Sequence, residues 1–215
     1  MPGPELDACD RVLVVEGYGD LVFFAEVLRS IGLTGVFIKE MAGKDNLRRP
    51  ARPGDRSSAA KLETFLSPRL LAEKRSIGVI VDADDDARET ARWLTAELSR
   101  ITEQSVRVGG FTAGPPRVGC FVVPAADTPG ELESLVWRSW AGAASNSGAR
   151  DCVEAYLACM RAAGHSPRSP DKGRLGALLS VLNDDDPRLG PAARARVIDL
   201  ASPELSPVVA FLREL

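Results

Sequence analysis

The chain has 215 residues, 45% hydrophobic and 27% charged, a globular composition that excludes a wholly disordered polymer. A formal charge of -3 excludes a uniformly basic nucleic-acid binder and leaves room for a local basic patch. Four cysteines without a CxxC pair and a single histidine, His165, exclude a Cys/His zinc site and most histidine-based general-base chemistry.

In chain order, MPGPELDACD lacks the basic and apolar regions of a signal peptide. No apolar run approaches the ~20 residues of a membrane helix, so the expectation is a reduced, cytoplasmic protein with no membrane partner. RVLVV at 11–15 is a continuous β-branched run, the pattern of a strand buried on both faces. After EGYGD, residues 21–31 carry apolar side chains at helical spacing and stop before Gly32. GVFI at 35–38 reads as a second strand. The proline- and glycine-punctuated stretch 44–56 reads as a loop with basic residues at Lys44, Arg48, Arg49, Arg52 and Arg56. A helix is expected over 57–74, capped by Ser57 or Ser58.

IGVIV at 77–81 is the clearest buried strand and runs directly into DADDD, followed by an amphipathic helix over 87–101. A loop over 109–117 leads to the strand GCFVV at 119–123, and a helix is expected over 129–140. Alternating strands and helices predict an α/β fold, three layers around a mostly parallel sheet. From 142 onwards short helical segments alternate with polar linkers, and no strand is evident. The reading is an α/β core over 1–141 and a helical C-terminal extension over 142–215 packed on the same domain.

Chemistry in an open parallel sheet collects beyond the carboxyl ends of its strands. Glu16 follows the first strand, and Asp82, Asp84 and Asp86 follow the third. If those strands are neighbours, Glu16 meets Asp82 and Asp84, which alternation in an extended segment points the same way. Carboxylates gathered in one place repel, and a hard cation resolves the repulsion; oxygen ligands select Mg²⁺ or Mn²⁺ over zinc. Such a site polarises a phosphodiester and activates water without a histidine. Asp85 and Asp86 also precede a helix, where acids serve as caps, and Asp20 could cap its own helix.

VLVVEGYGDLVFFAEVL followed by IGVIVDADDDARETARWL resembles the Toprim domain, the metal-binding fold shared by topoisomerases, primases and the overcoming-lysogenization-defect (OLD) nucleases. MAGKDNL, VGCFVVPAADTPGELESLV and SPDKGRLGALLS are similar to segments of small Toprim-like proteins related to the OLD nucleases. The resemblance implies a two-metal nuclease layout. In it Glu16, Asp82 and Asp84 hold one Mg²⁺ or Mn²⁺, and Asp20 and Glu133 help hold a second, with Glu131 the competing choice for Glu133. Glu16 doubles as a catalytic residue, and Lys172 corresponds to a late catalytic lysine that neutralises charge on the phosphate.

The resemblance further implies nucleic acid as substrate, DNA ahead of RNA, and a separate ATPase as partner, because no GxxxxGK[ST] loop is present. Neither Tyr18 nor Tyr156 lies in a recognisable topoisomerase cleavage module. Lys44, Arg48 and Arg49 are the candidate nucleic-acid contacts, since phosphate neutralisation by lysine and arginine supplies most non-specific affinity; a solvated loop is the plainer reading. A homo-oligomer is a further possible assembly. The competing reading is a non-catalytic Toprim-like module that binds metal or nucleic acid and scaffolds a partner. A haloacid-dehalogenase-like phosphatase ranks third, because its DxDx[TV] pattern is broken by Asp86. Cys120, Trp93, Trp137 and Trp140 read as packing residues, Asp184–Asp186 as a solvated turn, and His165 as surface.

Overall fold

The continuous apolar runs form the sheet. In the computed structural model, which describes residues 5–48 and 62–215, the strands are β1 (Arg11–Val15), β2 (Val36–Glu40), β3 (Ser76–Asp82), β4 (Gly110–Phe111) and β5 (Arg117–Val123). Their order is β2-β1-β3-β5-β4, parallel throughout except for β4, which pairs antiparallel with β5 at the edge. Val12 to Val15 are fully buried and alternate between two clusters, Leu13 and Val15 on one face, Val12 and Val14 on the other. A strand covered on both faces is apolar almost without a break along its interior. This is a three-layer α/β fold.

One face is covered by α1 (Tyr18–Ser30), α6 (Leu132–Ala141), α7 (Ser147–Ala162), α8 (Pro170–Leu182), α9 (Leu189–Arg194) and α10 (Ser206–Arg213). The other face is covered by α2 (Lys44–Arg48), α3 (Leu62–Phe65), α4 (Pro68–Glu73) and α5 (Ala87–Thr102). The C-terminal helices share the core of the first face: Phe211 and Leu215 pack on Gly78 in β3, and Phe111 stacks on Phe211 at 4.8 Å. Among the described residues no helix is long and apolar enough to cross a membrane.

Several elements depart from the sequence reading. The first helix starts at Tyr18, three residues earlier than its apolar spacing suggests, because Asp20 accepts a hydrogen bond from the Gly17 amide (2.9 Å) and closes the first turn. The expected loop at 44–56 begins with α2, pinned by buried Leu47; residues 49–56, Arg49 among them, lie outside the described residues. The expected helix at 57–74 is two helices over its described part. Pro68 has no amide to continue α3, and Ser67 caps α4 by accepting from the Leu70 amide (3.3 Å). The loop at 109–117 contains β4, and the helix expected from 129 begins at Leu132.

Candidate functional site

The carboxyl ends of β1, β3 and β5 lie side by side, and the chain leaves each of them through an acidic or polar turn. Glu16, directly after β1, ties this edge together. Its carbonyl accepts from the Gly43 amide (2.8 Å), and its Oε1 accepts from the Asp82 amide (2.9 Å) across 66 positions of chain. Asp82 in turn uses Oδ1 to accept from the amide of Leu132 (2.9 Å), the first residue of α6. A carboxylate at a helix N-terminus is favoured there by the free amides and the helix dipole. That bond draws the α6 N-terminus over the end of β3 and carries Glu131 and Glu133 with it.

Carboxylate oxygens of Asp82, Glu131 and Glu133 lie within 4.8 Å of one another, all three residues half-buried. The resemblance leaves Glu131 and Glu133 as alternatives; the fold places both beside Asp82. Asp84 stands outside this trio. It adopts a left-handed backbone (φ 52°), exchanges two backbone hydrogen bonds with Gly130 (both 2.8 Å), and ion-pairs with Lys44. Gly130 itself sits at φ 134°, and a Cβ there would lie 2.7 Å from Ser134 Oγ, so only glycine fits this turn without strain. Asp86 caps α5 by accepting from the Glu89 amide (2.9 Å), which assigns it the capping role weighed for it above.

Two lysines flank the acids. Lys44 donates to the Asp82 carbonyl (3.1 Å) as well as pairing with Asp84, so it faces the strand ends and is three-quarters or more covered. Lys172, in the first turn of α8, ion-pairs with Glu131. Arg48 lies in α2, and its side chain and all of Arg49 fall outside the described residues. Cys120 is buried, its thiol pushed up to about 12 by that burial; His165 is exposed.

Two positive charges do not balance the acids. Burial pushes the Glu16 carboxyl from an ordinary 4.5 up to about 7, against the pull of the Asp82 amide and Lys44. Asp20 is raised by burial, against the Gly17 amide and Lys172. Asp82 is raised well above the usual carboxylate range, first by burial and then by the charges of Glu16, Asp20 and Glu133. Glu133 is raised by burial too. For Lys172, burial opposes the charge, but Glu131, Glu133 and Asp82 outweigh it and its pKa is raised. Oxygen ligands carrying excess negative charge are of the chemical type that could hold a hard divalent cation.

Beside the trio opens a cavity of about 680 Å³ whose lining includes Asp84, Asp85, Glu131, Arg168 and Lys172. Arg168 carries no signal in the sequence: it lies in a polar linker and reaches the site only because α8 docks against α6.

No curated protein and no solved structure matches this chain. Residues 10–215 match the family model described as a protein of unknown function, DUF3226, and the chain belongs to that family.

Proposed function

We propose that this protein hydrolyses phosphodiester bonds in nucleic acid, DNA ahead of RNA, using Mg²⁺ or Mn²⁺. The observation that carries this reading is the meeting of Asp82, Glu131 and Glu133 at the carboxyl edge of the parallel sheet, next to an open cavity with Lys172 on its wall. The Toprim-like motifs at Glu16 and Asp82-Ala83-Asp84 support it. Asp82, Glu131 and Glu133 are the residues that would hold the cation, with Glu16, Asp20 and Asp84 near enough to shape its field. Bound there, the cation would polarise the phosphate and ease ionisation of water.

The chain's own groups do the rest. Glu16, directly after β1 and bonded to the Asp82 amide, is placed beside these acids to act as a general base. Lys172 can exchange its carboxylate partner for a phosphate oxygen and offset charge developing in the transition state. Lys44 keeps the end of β3 in place through the Asp82 carbonyl and fixes Asp84.

One observation favours the non-catalytic alternative. Glu16, Asp20, Asp82 and Glu131 each already have a protein partner, as a purely structural edge would require. Incubation with supercoiled and linear DNA in Mn²⁺ separates the two readings. The nuclease reading expects cleavage that disappears in Asp82→Asn and falls about a hundredfold or more in Lys172→Ala, with Mn²⁺ binding retained in the latter. Absence of cleavage by wild type, or equal cleavage by all three proteins, would leave the binding module.

A further inference from the structure

At the end of α1 remote from the acidic edge, α1, α9 and α10 enclose a second cavity, of about 860 Å³. About 20 Å of helix separates the two ends of α1, so one small ligand cannot reach both. Four arginines line this cavity, Arg29, Arg194, Arg196 and Arg213, against two acids, Glu26 and Asp199. In a chain of net charge -3 this is a concentration of the opposite sign.

The acids are already engaged. Glu26, only 5% exposed, takes Arg29 on one carboxylate oxygen and Arg194 Nε (2.8 Å) on the other, so one buried charge holds two guanidinium groups from different helices. The remaining N–H groups of both arginines have no acceptor among the described residues. Asp199 accepts from the Ala201 amide (2.9 Å). Arg196 and Arg213 are exposed and form no ion pair among the described residues.

Arg29, Arg194 and Arg213 sit in the last turns of their helices, where the helix dipole favours a cation. Arg196 lies in no helix, at φ 61°, and that account does not reach it. Guanidinium forks suit phosphate oxygens, and the volume falls within the roughly 300–1,000 Å³ range of small-molecule sites.

We propose that this cavity binds a small phosphorylated molecule of nucleotide size, independently of the acidic edge and of its function. The Glu26-braced arginines form a fixed pair of forks, and Arg196 and Arg213 supply the unpaired charge.

Calorimetric titration in EDTA, with inorganic phosphate, pyrophosphate and ATP as probes, tests this on the full chain. Saturable binding of pyrophosphate or ATP is expected, weakened about tenfold or more in an Arg196→Ala/Arg213→Ala variant and unchanged in Asp82→Asn. Both arginines are exposed and unpaired, so the double variant should melt with wild type and loss of binding cannot be blamed on unfolding. ATP binding tighter than pyrophosphate would assign a nucleotide; equal binding would assign the phosphate groups alone. The proposal is overturned if no probe binds at millimolar concentration, or if binding ignores the arginine pair and is lost in Asp82→Asn. Neither result bears on cleavage at the acidic edge.

Discussion

Asp82 carries two loads of opposite sign. Its Oδ1 satisfies the Leu132 amide, which stabilises the fold, while its charge sits beside Glu16, Asp20 and Glu133, which opposes it. The two substitutions Asp82→Asn and Asp82→Ala separate these loads. Asparagine keeps the acceptor oxygen and removes the charge, so it should melt at or above wild type in EDTA. Alanine leaves the Leu132 amide without its acceptor and should cost about 1–3 kcal/mol. Thermal melts in EDTA check this; equal destabilisation by both variants would mean that the carboxylate charge itself holds the edge together. Lys44 offers a milder case. Asp84, its partner, is 46% exposed, so Lys44→Ala should cost no more than about 1 kcal/mol of stability. A larger loss in chemical denaturation would show that the bond to the Asp82 carbonyl matters more than the ion pair.

At the scale of elements, the tightest junction joins α1 and α9. A Cβ on Gly190 would lie 2.1 Å from Val22 Cγ1, so the helices approach more closely than any side chain at 190 permits. Gly190→Ala should destabilise by about 1–3 kcal/mol through overpacking, and Val22→Ala introduced alongside it should recover part of the loss. A denaturant-based double-mutant cycle reads the coupling directly; strictly additive effects would place the strain elsewhere. Elements of this fold were legible in the sequence to the extent that their signal is local. β1, β3 and β5 announce themselves because burial on both faces leaves their interiors apolar without a break, polar residues standing only at their ends. β4 does not, since two residues opposite Cys120 and Gly119 form a strand only by pairing. The break between α3 and α4 could have been read from Ser67-Pro68, a cap followed by a residue without an amide. The positions of the acids after the strands were legible from topology. The grouping of Glu133 or Glu131 with Asp82 came only with the resemblance and not from topology, because both reach Asp82 through a bond to Leu132, 50 residues from Asp82 in the chain.

For the whole molecule, the acidic edge makes stability depend on pH and on divalent ions together. Glu16, at about 7 in the folded chain against an ordinary 4.5, binds its proton more tightly folded than unfolded. Its contribution is therefore complete below about pH 4.5 and is lost as pH rises through about 7, a loss on the order of 3 kcal/mol. Asp20, Asp82 and Glu133 are raised in the same direction and add to the slope. In EDTA the protein should thus melt at a lower temperature at about pH 8 than at about pH 5. A divalent cation reverses the balance, because it binds the ionised carboxylates and competes with their protons. At a hundredfold excess over Kd it returns about 2.7 kcal/mol, and only where the acids are ionised. Melting curves across this pH range, with EDTA and with Mn²⁺, should therefore diverge upward from near coincidence at the acidic end. A flat or rising profile in EDTA would mean that these acids are not held above their ordinary pKa values by burial and by their mutual charge. An ion-induced shift as large at about pH 5 as at about pH 8 would place the ion at a different set of ligands.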